Sequence, residues 1–162
     1  MIDLMGEGRD DSRARVRRVL ATCGAYLLPD HVVAQGEGWL EVAFEPPADA
    51  PWYRTDGAGH ALLLPGTVTT ELAVQAGELL IHTVTGGDRP EDGVPVLGRV
   101  RRARFTRPVP PGTALVARVA LTQRLGPAFY VRAEVRGPDG VVMKASLTFT
   151  ATKAVARFAG LA

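Results

Sequence analysis

The stretch from Pro65 to the Gly86-Gly87 pair constrains this chain more than any other. Pro65 and Gly66 open it, and the glycine pair supplies a stop for a helix. Between them, Val68, Leu72, Ala76, Leu79 and Leu80 fall on one helical face. Ala73, Ala76 and Gly77 are small enough to let another backbone come close. Apolar groups also spill onto the other faces, which predicts a helix covered on most sides.

After a polar loop at 88–93 the pattern changes to period two. It predicts strands at 96–105, 114–123, 128–135 and 141–150, separated by Pro110-Pro111-Gly112, Gly126-Pro127 and the Gly137–Gly140 turn. In the last of them Met143, Ala145, Leu147 and Phe149 alternate with Lys144, Ser146, Thr148 and Thr150, so one face is wet. Upstream, Asp11 or Ser12 can cap a helix whose stripe is Val16, Val19, Leu20 and Cys23, with Gly24 as its stop. Residues 25–33 lead toward a strand at 39–44, and Pro46, Pro47 and Pro51 then forbid regular structure. One long buried helix followed by an antiparallel meander is an α+β pattern in which the sheet curls around the helix. A sheet with a single helix to cover it finds further burial in a partner, so a homodimer is expected. The 162 residues suit a single domain at 11–152, with tails at 1–10 and 153–162.

Several function classes lose support. The lone Cys23 allows neither an internal disulfide nor a cysteine zinc site, and suits a small core residue. His31, His60 and His82 lack ligand spacing, so no metal is expected. No apolar run approaches the ~20 residues of a membrane helix, and the acidic start does not resemble a secretory leader. A cytoplasmic location is the default expectation. Net charge is only +2, and aromatic residues do not interleave with a basic stripe, so nucleic acid is not expected as a partner.

Three blocks carry a family resemblance over roughly residues 25–150. Tyr26-Leu-Leu-Pro-Asp-His-Val-Val33 resembles a Pro-Phe-Leu-Leu-Val-Asp-Arg-Val stretch of the 3-hydroxyacyl-[acyl carrier protein] dehydratases. Leu64-Pro-Gly-Thr-Val-Thr-Thr-Glu-Leu-Ala-Val-Gln-Ala-Gly77 resembles their Met-Pro-Gly-Val-Leu-x-x-Glu-Ala-x-Ala-Gln-Ala-Gly. Arg104-Phe-Thr-Arg-Pro-Val-Pro-Pro-Gly112 resembles their Phe-Arg-Arg-Pro-Val-x-Pro-Gly-Asp. The segment from Pro51-Trp52 to Leu72-Ala73 is also similar to polyketide synthase dehydratase domains.

The resemblance implies a hotdog fold, a sheet wrapped around one central helix, and an acyl thioester substrate borne on the phosphopantetheine of a carrier protein, with no other cofactor. In that family a histidine removes the α-proton, a carboxyl group protonates the departing hydroxyl, and backbone N–H groups at the helix start hold the thioester carbonyl. Glu71 stands at the acidic position, six past Pro65. Gly66 and Thr67 stand at the helix start, and Gln75, one turn past Glu71, could orient its carboxyl group. The histidine departs from the pattern. Gly59-His60 lies five residues before the proline rather than eight, and the polyketide-type register puts Asp56 where the histidine belongs. His60 is thus the expected base, with Asp56 as the alternative.

A rival resemblance uses the same residues. Thr55-Asp-Gly-Ala-Gly-His60 followed by Glu71 is similar to the Thr-Asp-x-x-Gly-His and Glu of hotdog acyl-coenzyme A thioesterases, in which an aspartate attacks the thioester or activates water. A Michael addition onto an enoyl thioester and a non-catalytic thioester-binding protein are further hotdog options.

Plain structural roles stand beside these. Asp56 could cap a turn with Gly57, and Tyr53 and Trp52 could be core rather than acyl-pocket wall. His31 and His82 suit structural positions. The arginines 99, 101, 102, 104 and 107 could form a solvated strand face or a docking face for an acidic carrier protein. Glu71 among Val68, Leu72 and Leu79 is costly to bury unless it is paired or used.

Overall fold

The computed structural model describes residues 9–20, 26–86 and 93–152. The elements run α1 (Arg9–Val19), β1 (His31–Gly36), β2 (Trp39–Phe44), β3 (Arg54–Thr55), β4 (Ala61–Leu63), α2 (Gly66–Thr85), β5 (Val94–Phe105), β6 (Leu115–Leu125), β7 (Ala128–Gly137) and β8 (Gly140–Thr152). Six strands form one antiparallel sheet in the order β1-β2-β6-β7-β8-β5, and β3 and β4 form a separate hairpin.

The long helix is where the sequence places it. Its last turn closes on Gly86 in the left-handed region (φ 92°), whose N–H is donated to the His82 carbonyl. α2 lies across the sheet and touches β2, β5, β6, β7 and β8. Val68, Leu72, Ala73, Val74, Ala76, Leu79, Leu80 and Ile81 are all buried, so the helix is enclosed on most of its circumference. This α+β arrangement, a sheet curled around one long helix, is the one the hotdog resemblance implies. A side chain at Gly77 would put its Cβ 2.6 Å from the Phe149 ring, so the helix is packed closely enough onto β8 to exclude even an alanine without movement.

Period two does the rest. Leu40, Val42 and Phe44 of β2, Leu115, Ala117 and Val119 of β6, Phe129, Val131, Ala133 and Val135 of β7, and Met143, Ala145, Leu147 and Phe149 of β8 all point inward and are buried. Strand bounds move by a few residues from the expected ones, and β6, β7 and β8 all run longer than the periodicity marks. β5 is the exception to alternation. It is an edge strand, exposed along most of its length, with irregular pairing between Leu97 and Arg99 and between Arg101 and Arg104. Within that second irregularity Arg102 adopts φ 54°.

α1 covers β1, and the Ser12 hydroxyl, instead of capping the helix start, accepts the Val32 N–H at 2.9 Å. The helix begins at Arg9, two to three residues before the cap expected from the sequence. Cys23, its Gly24 stop, Gly87, residues 1–8 and the tail from 153 lie outside the described residues. Among the described residues, no helix is long and apolar enough to cross a membrane, and no cluster of His, Cys, Asp and Glu suits a metal ion.

Candidate functional site

The chain reaches α2 through the β3–β4 hairpin, and the hairpin tip carries two of the expected residues. Asp56 to His60 closes on itself: the Asp56 N–H is donated to the His60 carbonyl at 3.0 Å, and the Gly59 N–H to the Asp56 carbonyl at 3.1 Å. Gly59 takes φ 86°, which a residue with a side chain would adopt only with strain. Oδ1 of Asp56 accepts the backbone N–H groups of Ala58 (2.8 Å) and His60 (2.9 Å), while Oδ2 lies 3.0 Å from His60 Nδ1. Asp56 therefore caps its own turn and grips the imidazole as well. The His60 N–H first, then its ring, hold the Asp56 carboxyl below its ordinary range. An ionised Asp56 fixes the proton on Nδ1 and leaves Nε2 with a free lone pair. The imidazole is open to solvent, its side chain 77% exposed.

From His60, three residues of strand, roughly 10 Å, lead to Leu63 and then to the start of α2. That start is bare. Pro65 is the cap residue and has no side chain with which to bond the first amides; its carbonyl accepts from Val68 N at 3.0 Å. A groove of about 450 Å³ opens here, walled by Leu63, Leu64, Gly66, Thr69, Phe105 and Val109 among others. The ring of half-exposed Phe105 lies over Gly66, where a Cβ would sit 2.9 Å from it. Thr67 is exposed and does not line the groove.

Glu71 and Gln75 sit elsewhere on the helix. Five residues past Gly66 places Glu71 about 140° round the axis from it, and Glu71 does not line the groove. Its carboxylate accepts a 2.7 Å bond from Gln75 Nε2. The fully buried Gln75 also donates to the Tyr26 carbonyl at 2.6 Å and accepts from Leu28 N at 3.0 Å. Gln75 thus bonds Glu71 and also ties the strap at 26–28 to the helix. No hydrogen bond or ion pair among the described residues joins Glu71 to Asp56 or His60.

Tyr53 is buried, its hydroxyl accepts the Gly112 N–H at 2.9 Å, and its ring meets Trp52 edge-on at 5.4 Å. Tyr53 belongs to the core and half-buried Trp52 packs against it; neither lines the groove at the helix start. The arginines of β5 are exposed, as expected of a solvated strand face. Beyond them on the outer face, Glu134 is bridged by Arg136 at 2.6 Å and Lys144 at 2.7 Å, and Glu41 by Arg118 at 2.8 Å.

Two residues escaped the sequence reading. Glu78, two turns past Glu71 on the same helix face, is pushed up to about 7, first by burial and then by the Glu71 charge. Its spacing from Glu71 was the available signal. Thr69 lines the groove, and nothing in its sequence context sets it apart from Thr67 and Thr70.

No protein-family model matches the chain. It is 31% identical over 90 residues to the 3-hydroxyacyl-[acyl-carrier-protein] dehydratase FabZ of Syntrophobacter fumaroxidans, a match spanning 54% of this chain and 58% of that protein. The chain thus spans less than two-thirds of the length of this curated relative. In three dimensions it is similar to the dehydratase heterocomplex ApeI:P of Xenorhabdus doucetiae, with a TM-score of 0.67, 17% identity, and 85% of this chain and 91% of that one covered. A thioesterase of Haemophilus influenzae gives a TM-score of 0.56 at 22% identity, with 74% and 76% covered.

Proposed function

We propose, from the hotdog fold that this chain shares with dehydratases and thioesterases, that it is an enzyme acting on acyl thioesters. Its reaction in this reading is the dehydration of a 3-hydroxyacyl chain on an acyl carrier protein to the trans-2-enoyl thioester, in fatty acid or polyketide biosynthesis in the cytoplasm. The supporting observation is the bond from His60 Nδ1 to Asp56, which leaves Nε2 free to take a proton.

In this mechanism the thioester carbonyl lies at the bare start of α2, where the N–H groups of Gly66 and Thr67 stabilise the developing enolate. His60 Nε2 removes the α-proton, and the imidazolium is held by Asp56. The Cβ–O bond breaks as Glu71, entering this step in its protonated form, gives that proton to the departing hydroxyl, and water leaves. Asp56 already accepts three donors, so it serves as the orienting group rather than the base. No resident cofactor takes part, since the acyl group arrives on its phosphopantetheine arm.

Glu71 and the groove occupy different sides of α2, so one acyl chain meets base and acid together in a homodimer. The edge of β5, unpaired among the described residues, is the surface for that pairing, and the base of one protomer then works with the partner's Glu71. The exposed β5 arginines suit docking of an acidic carrier protein. Hydrolysis is the second reading, supported by the Thr55–His60 spacing and the thioesterase fold likeness. It needs Asp56 as nucleophile or activator, a role its three donors weaken.

One assay separates the readings. The protein is given a 3-hydroxyacyl carrier thioester, and both mass and free thiol are followed. Loss of water without thiol release is expected; thiol release points to hydrolysis, and no change in either to binding alone. Mixing inactive His60→Ala and Glu71→Gln chains then tests the shared site. Random pairing restores about a quarter of wild-type activity if each site draws on both protomers, and none if each protomer holds both groups.

A further inference from the structure

Thr69 breaks a rule that the other groove and helix side chains obey. It is 2% exposed, and a buried hydroxyl is normally hydrogen-bonded. Thr70, Thr83 and Thr85, on the same helix, each return the hydroxyl to the carbonyl four residues earlier, at 2.9, 2.8 and 2.7 Å. Of the neighbouring polar groups of the groove, the Thr106 hydroxyl is donated to the Val141 carbonyl at 2.6 Å, and one N–H of Arg107 to the Asp139 carbonyl. The Thr69 hydroxyl has no partner among the described residues, although it lines the groove beside Gly66. The carbonyl it would ordinarily use, that of Pro65, already accepts from Val68 at 3.0 Å and from Thr69's own N–H at 3.4 Å. The oxygen itself keeps some accessible surface, on the groove that the residue lines.

A second observation points the same way. The start of α2 has no capping side chain, and Gly66, whose amide is among the uncapped ones, lines the same groove as Thr69. Two kinds of uncommitted donor therefore converge on one small volume whose other walls are mostly apolar. That is the signature of a site for a single carbonyl-type oxygen on an otherwise apolar ligand.

We propose that Thr69 is a substrate-contacting residue whose hydroxyl donates a hydrogen bond to the thioester carbonyl oxygen of the bound acyl group. This rests on the thioester reading above. The helix-start amides and the hydroxyl hold the oxygen from two sides, and Phe105 over Gly66 limits what can follow it into the groove.

The test uses two pantetheine analogues that cannot react: a butyryl ketone with methylene in place of sulfur, and an S-butyl thioether with no carbonyl. Binding is measured by calorimetry with the full-length protein. Wild type is expected to bind the ketone about tenfold more tightly than the thioether, the worth of one well-placed hydrogen bond. Thr69→Val, which keeps the side-chain shape, lowers that preference to the part the helix-start amides supply, without weakening thioether binding, and Thr69→Ser restores it. If Thr69→Val retains the full preference while both analogues bind, Thr69 is not the contact and the thioester reading stands. If wild type binds neither analogue, the thioester reading and this inference fall together.

Discussion

Gln75 and Asp56 each hold three hydrogen bonds, yet the two clusters do opposite kinds of work. The bonds of Gln75 to Tyr26 and Leu28 span 49 and 47 residues and are made by a side chain with no exposure. Those of Asp56 span two and four residues on a hairpin tip where its side chain is 38% exposed. In the first cluster every lost partner strands a buried polar group. In the second, water replaces what is lost. The buried knot therefore maintains the fold, and the exposed one can set the orientation of a ring at little cost to stability.

His60→Ala is expected to lower dehydration about 10²–10⁴-fold while leaving the thermal midpoint near that of wild type. A variant with full rate would remove His60 as the base. Next comes Gln75→Leu, which strands Leu28 N–H, the Tyr26 carbonyl and Glu71 together. It should cost about 2–4 kcal/mol in urea unfolding, and a wild-type midpoint would show that the knot is dispensable.

Asp56→Asn sharpens the contrast, since an amide can present its NH2 to Nδ1 and favour the wrong tautomer. A rate loss of about 10–100-fold with stability changed by less than about 0.5 kcal/mol is expected; unfolding in parallel with the rate loss would erase the distinction. The smallest effect belongs to Glu78. Its folded carboxyl keeps a proton that the unfolded chain releases between the ordinary 4.5 and about 7, so stability falls as pH rises through that window. Glu78→Gln should remove this slope and add about 1 kcal/mol at pH 8, with no gain at pH 4. Denaturation curves at the two pH values decide it.

The same contrast explains what could be read from the sequence. α2 and β6 to β8 were legible because burial on a helix or on one sheet face writes a period into the residues. β1 was only foreshadowed: its residues are half-buried or exposed without alternation. β3 spans two exposed residues, too few to show any period. Asp56 and His60 were legible as a spacing, and their hydrogen bond was not, because it depends on how the Gly57–Gly59 turn closes. Gln75 could be paired with Glu71 from helix geometry alone, but its hold on Tyr26 and Leu28 required the fold. Thr69 was invisible, since its distinction lies in the partner it lacks.

The contact between Gly77 and Phe149 reaches beyond packing. Because the helix beds directly on β8 at that point, the missing side chain sets the spacing between the two layers. Any redesign of that spacing would thus begin with the Phe149 ring, which can be trimmed, rather than with Gly77, where even one added methyl group would prise the two layers apart.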